Sequence, residues 1–265
     1  MREIGISEGA APHTLSCVAV FWDRLTGVQS APPGWAIAVS AAVALLIVAS
    51  PRAWRLARTS ITIAHEGGHA LASLLSGRRL EGIRLHADTS GETRTRGRRN
   101  GPGIVVTALA GYLTPPLLGA GASALLAAHR VTLLLALLLV LLAVTLLAVR
   151  NWYGVLAVLA TAGAVLAVTW LAGAPTRAAF AYGVAWFLLF GGARPVVELA
   201  RSRARARRYG RARARAAMSD ADHLAALTGA PGGLWVALFA LVAVAALVLG
   251  ARLLIPWPMH LPPPR

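Results

Sequence analysis

Seven apolar stretches, each 17 residues or longer, take up most of this 265-residue chain, and most of the charged residues fall between them. They run over 34–50, 59–76, 102–127, 131–149, 152–172, 178–199 and 232–254. A helix rising 1.5 Å per residue needs about 20 residues to cross a hydrocarbon layer roughly 30 Å thick. In that layer the backbone must satisfy its own polar groups, so such stretches fold as packed helices and not as open sheet or loop. The expected fold is therefore an all-α polytopic membrane protein of about seven transmembrane segments. Composition agrees, since 57% of residues are hydrophobic where soluble domains have roughly 45–50%. Trp35, Trp54, Trp152, Trp170, Trp235 and Trp257 fall at segment ends, as an interfacial aromatic belt requires. Residues 1–33 hold Glu3, Glu8, Asp23 and Arg24 without the apolar core of a signal peptide, and read as a retained, flexible arm. Residues 34–255 form one membrane-embedded domain, followed by a tail over 256–265.

The net charge of +16 comes from 26 basic residues, every one an arginine. Exclusive arginine reads as GC-rich coding, and the expected location is a bacterial plasma membrane. The arginines cluster between apolar stretches, seven over 78–99 and eight over 201–215. This is the distribution the positive-inside rule produces, so nucleic acid is not an expected partner. Four segments separate the two clusters, which places both on the cytoplasmic side. The 201–215 run is expected to be a solvated loop held against anionic lipid. Seven crossings leave Arg52, Arg55 and Arg58 outside; a re-entrant second segment would bring them inside. Cys17 is the only cysteine, which excludes an internal disulfide and a cysteine zinc cluster.

One apolar segment carries chemistry. His65-Glu66-Gly67-Gly68-His69 lies within 59–75, and residues four apart share a helix face, so both imidazoles can reach one metal ion. Zn²⁺ lowers the pKa of a water that Glu66 can deprotonate, the arrangement of a zinc metalloprotease. Two imidazoles and a carboxylate in an apolar setting cost several kcal/mol unless paired or metal-bound. Directly after this helix, Ile83, Leu85 and Ala87 alternate with Arg84, His86 and Asp88. Thr89-Ser90-Gly91 then offers a turn, and Thr93 and Thr95 alternate with Arg94 and Arg96. The pattern predicts a β-hairpin. It is either an ordinary solvated hairpin or an edge strand that pairs with an extended substrate peptide.

The stretch 63–77 with the following Arg-Arg-Leu-Glu-Gly-Ile-Arg-Leu-His-Ala-Asp-Thr-Ser-Gly resembles the M50B-like branch of the site-2-protease family of intramembrane zinc metallopeptidases. The resemblance continues through Ala110-Gly111-Tyr112-Leu113-Thr114-Pro115, Arg150-Asn151, the 191–198 stretch from Gly191 to Glu198, and Ser219-Asp220-Ala221-Asp222. It implies a helical membrane enzyme that uses Zn²⁺, with His65 and His69 as ligands and Glu66 as general base, and cuts membrane-spanning or membrane-adjacent polypeptides. A catalytic zinc needs a third protein ligand. The wider family takes it from a Leu-Asp-Gly motif, which this sequence lacks. Of ten acidic residues, elimination leaves Asp220, Asp222, Glu198 and Asp88. The resemblance puts Asp220 first, with Asp222 and Glu198 as the alternatives. Asp220 can also be read as a helix cap, Gly111 to Pro116 as a proline kink, and His86, His129 and His223 as surface histidines. Two rival functions are a relative that binds transmembrane partners without cutting and a transporter. The intact Glu66 argues against the first, and the lack of an internal repeat against the second.

Overall fold

The computed structural model describes Trp22, residues 26–209 and residues 218–255. Most of the amino-terminal arm with Cys17, the 210–217 part of the arginine run, and the 256–265 tail with Trp257 lie outside the described residues. The described chain is mostly helical with one two-stranded sheet. In order it forms α1 (Gly34–Ala49), α2 (Pro51–Leu75), β1 (Arg79–Leu85), β2 (Gly91–Arg96), α3 (Pro102–Ala127), α4 (Val131–Ala148), α5 (Trp152–Leu171), α6 (Ala174–Tyr209), α7 (Asp220–Thr228) and α8 (Gly232–Leu254).

Among the described residues five helices, α3, α4, α5, α6 and α8, are long and apolar enough to cross a membrane. Helices α1 and α2 qualify only as a pair, bent by 100°. The expected seven spans are thus corrected to five, or six if the bent pair is one span. The 16 residues of α1 reach only about 24 Å at 1.5 Å each. Helix α2 starts at Pro51, so Arg52, Arg55 and Arg58 lie in its first turns and not in a loop.

The elbow follows from two residues. Pro51 has no N–H to continue α1 and forces Ser50 into an extended conformation, with φ −71° and ψ 124°. Ser50 then serves both helices: its N–H closes α1 on the Leu46 carbonyl, and its hydroxyl accepts the Ala53 N–H at 3.4 Å. Arg194 of α6 braces the joint. It donates to the Val48 carbonyl, lies 4.8 Å from the centre of the Trp54 ring, and pairs with Glu198 at 2.9 Å. Glu198 also meets Arg58 of α2 at 3.3 Å.

Burial shows which helices are central. Half of the α6 span is buried, against 17% for α4 and for α5, so α6 runs through the bundle while α4 and α5 turn Leu137, Val144, Leu147, Leu159 and Leu166 outward. Helix α3 is one continuous element across Pro115 and Pro116. Pro116 sits against Gly192 of α6, where an added Cβ would fall 2.7 Å away. Small residues of this kind let membrane helices approach closely. Helix α6 also outruns its expected end at Leu199, so 201–209 are helix and not loop.

The hairpin pairs Arg79 with Arg96 through Leu85 with Gly91, with a bulge between Leu80 and Gly82. Its loop falls earlier than the expected Thr89 to Gly91: Ser90 closes back on His86, Asp88 accepts from Ser90, and Gly91 already belongs to β2. The outer edge of β1 is occupied. Arg150 N–H donates to the Ile83 carbonyl at 2.9 Å, and the Asn151 amide bonds the Leu85 backbone in both directions, at 3.1 and 2.7 Å. Among the described residues the outer edge of β2 is therefore the open one.

Candidate metal centre and its cleft

Helix α2 carries His65 and His69 one turn apart, and their Nε2 atoms lie 3.2 Å from each other. Asp220, at the first position of α7, brings Oδ2 to 3.2 Å from both. That oxygen is buried and accepts no hydrogen bond. The three atoms form an equilateral triangle. Ligand atoms held about 2.0 Å from a tetrahedral zinc stand roughly 3.3 Å apart, so the triangle has the size of one face of such a site. Nδ1 of His69 lies 2.7 Å from the Thr107 carbonyl. A carbonyl only accepts, so the ring proton sits on Nδ1 and the Nε2 lone pair is left for a metal.

The capping reading of Asp220 is corrected by its neighbour. Ser219 is the N-cap of α7, and Asp222 completes a capping box by accepting from the Ser219 hydroxyl at 2.6 Å and from its N–H at 3.2 Å. Asp220 is thereby free to face the imidazoles. Asp222 also pairs with Arg203 of α6, and Gly232 leaves room for that guanidinium, since a Cβ there would meet its Nη2 at 2.3 Å. Arg203 thus belongs to an ion pair, against the expectation of a fully solvated run. Of the other ligand candidates, Glu198 is bound at the elbow and Asp88 in the hairpin loop. Among the described residues only Asp220 meets the histidines.

Room for this site comes from α3. A Cβ on Gly111 would fall 2.3 Å from His69 Nε2 and 2.6 Å from His65 Nε2. Both ligand atoms face bare backbone. Tyr112 follows, edge-on to His65 at 4.9 Å and stacked on Phe239 of α8 at 4.8 Å. The 111–116 stretch, expected as a proline kink, lies within one helix, and its Gly111 and Tyr112 are the wall against which the imidazoles sit.

Glu66 is buried, with 4% of its surface exposed, and β2 holds it. The Thr93 hydroxyl donates to its Oε2 at 2.6 Å and lies 3.1 Å from its backbone carbonyl. A Cβ on Gly91 would strike the carboxylate at 2.6 Å. One turn earlier on α2, Thr62 donates to the Thr89 carbonyl at 2.8 Å. The hairpin is thus fastened over the helix at two positions. A cleft of about 770 Å³ opens here, lined by His65, Glu66, His69 and Asp220 together with β2, the residues flanking the hairpin and His223. His86 and His129 are exposed and do not line it. Thr93, Gly91, Gly111, Thr107 and Arg203 were not expected from sequence. Thr93 was legible only as an alternating strand residue, and a glycine facing a ligand carries no mark that separates it from a packing glycine.

The description Peptidase M50B-like matches residues 38–250, which take in both histidines, the hairpin and Asp220. The chain belongs to the Peptidase M50B-like family. Comparison with curated proteins and with solved structures returned no match. Membership of this peptidase family, together with the apolar helices, makes the M50B-like chain a multi-pass membrane protein with a candidate His/Asp metal cluster.

Proposed function

We propose that this M50B-like protein is an intramembrane zinc metalloendopeptidase in which His65, His69 and Asp220 hold the metal and Glu66 is the general base. The observation that carries this reading is the 3.2 Å triangle closed by a buried carboxylate oxygen without a hydrogen-bond partner. Two imidazoles and one carboxylate are a donor set of catalytic zinc, with a fourth position left for water or substrate. When bound, zinc supplies Lewis acidity, making a water nucleophilic near neutral pH and polarising a carbonyl. The chain's own groups do the rest. Thr107 fixes the His69 tautomer, Asp220 lends the negative charge, and Thr93 aims the Glu66 carboxylate, which takes a proton at Oε1 or Oε2 and returns it to the leaving amine.

Substrates of this reading are membrane-spanning or membrane-adjacent polypeptides. The open edge of β2 runs along the cleft beside Glu66, and an extended peptide can add to it by main-chain hydrogen bonds. A helical peptide bond must be unwound before it is cut, and strand pairing holds it unwound. Arg201 and Arg205 on the exposed end of α6 fit contact with anionic lipid. The test is metal content beside turnover. Purified protein should hold about one zinc per chain, and Glu66→Gln should keep the zinc while abolishing cleavage of a membrane-spanning test substrate. Stoichiometric zinc in a His65→Ala, His69→Ala double variant, or near-normal turnover by Glu66→Gln, overturns the reading.

A further inference from the structure

Charge is spread unevenly along the same cleft. Four guanidiniums line it, from Arg78, Arg94, Arg96 and Arg99, and four carboxylates, of which Glu66 and Asp220 lie at the candidate metal centre. The other two are spoken for: Glu92 pairs with Arg94 and Glu81 with Arg96, each at 2.9 Å. Among the described residues Arg78 has only neutral partners. It donates to the Arg98 carbonyl at 2.5 Å and to the Thr95 hydroxyl at 3.2 Å, and its Nε is buried with no partner. Arg99 is exposed and has no hydrogen-bond or ion-pair partner among the described residues. Two positive charges therefore face the cleft without a carboxylate.

The position of Arg78 along β2 is fixed. Glu66 lies at Gly91 and Thr93, whereas Arg78 touches Thr95 and Gly97. In a strand rising about 3.3 Å per residue, the offset of two to four residues from Thr93, whose hydroxyl holds the carboxylate, to Thr95 and Gly97 spans roughly 7–13 Å. Resting on the peptidase reading above, we infer that the cleft selects a substrate segment with acidic side chains two to four residues to one side of the bond that is cut, and that Arg78 and Arg99 are the residues that select it. The chemistry is carboxylate recognition by unpaired guanidinium, the group best shaped for it. Such a rim also disfavours the arginine- and lysine-rich flanks that membrane segments usually carry on their cytoplasmic side. Phosphates of anionic lipid would suit the same arginines. The peptide is favoured because these two line the cleft that holds Glu66 and the open strand edge, and not the apolar outside of the bundle.

A membrane-spanning peptide carrying an Asp-Asp, Asn-Asn or Lys-Lys pair, walked through its flanking segment, tests this in detergent at about 50 mM salt. Binding is read by fluorescence polarisation on Glu66→Gln protein, and cut sites by mass spectrometry on wild type. The Asp-Asp peptide should bind about tenfold tighter than Asn-Asn, the scale of two exposed ion pairs acting together, and the gap should shrink as salt rises. Cleavage should fall two to four residues from the acidic pair, on one side only. Arg78→Gln with Arg99→Gln should reduce the preference to within twofold. Arg99→Gln alone, which breaks no contact in the fold, should cost about threefold. Binding indifferent to peptide charge, or a preference that survives in both variants, overturns the inference, as does an Arg99→Gln effect confined to binding of anionic vesicles. Because binding is read on a variant without the base, loss of all cleavage in wild type would count against the peptidase reading and leave the charge preference to be judged by itself.

Discussion

Gly111→Ala adds one methyl group where the two ligand nitrogens face α3. Real Cβ atoms essentially never come within 3.0 Å of another heavy atom, so the His69 ring must retreat by about 0.7 Å and the His65 ring by about 0.4 Å merely to reach that limit. Metal–ligand distances tolerate about 0.2 Å. Neither ring retreats freely, because His69 is tied to Thr107 at 2.7 Å and His65 is edge-on to Tyr112. Zinc affinity should therefore fall by at least about 100-fold, the upper end of what loss of an outer-shell partner does, or about 2.7 kcal/mol. Backbone propensity acts with the opposite sign: alanine is favoured over glycine inside a helix by about 1 kcal/mol. That gain offsets part of an overpacking cost of about 1–3 kcal/mol, so the metal-free variant should lose little stability while failing to hold zinc. Gly121→Ala in the same helix is the control, since a Cβ there meets nothing within 4 Å. Chelator competition measures the affinity, and thermal unfolding of metal-free protein measures the fold. Unchanged zinc affinity in Gly111→Ala would refute the placement of the metal against this glycine.

Three further outcomes follow from the same geometry. Asp220→Asn should lose zinc strongly, because an amide oxygen replaces an anion facing a divalent ion, and because Ser219 and not Asp220 caps α7 the fold should be kept; Asp222→Asn should have the smaller effect on zinc, as metal analysis of both variants will show. Thr93→Val removes the hydroxyl that holds Glu66 and should lower kcat about 10-fold or more with zinc content unchanged, measured by steady-state kinetics beside metal analysis. Arg203→Ala should loosen α7 and weaken zinc binding about 10-fold, with Arg203→Lys partly restoring it, read as the zinc off-rate to a chelator.

Much of this architecture was legible in the chain. The apolar stretches mark α3 to α6 and α8, and the alternation after α2 marks the hairpin. The spacing of His65 and His69 places both on one face. Elimination among so few acids narrowed the partners of the histidines to a short group that included Asp220. What stayed hidden depends on direction and not on composition. A hydropathy pattern counts apolar residues without reporting where the axis turns, so the 100° elbow at Ser50–Pro51 read as two spans. Glu198 read as a spare acid because its partners, Arg58 and Arg194, lie on two different helices. Gly91 read as a turn residue, and its actual constraint is a carboxylate from another element.

The triangle draws two corners from α2 and the third from α7, about 150 residues later in the chain. During synthesis the histidine helix leaves the ribosome long before Asp220 exists, and a nascent chain can offer a metal only two imidazoles. The complete donor set arises once α6 has been made and α7 has docked through Arg203 and Asp222. On the proposed reading, catalytic competence is therefore a late event in biogenesis. A membrane that is being filled with half-made copies of this chain is not exposed to half-made proteolytic centres.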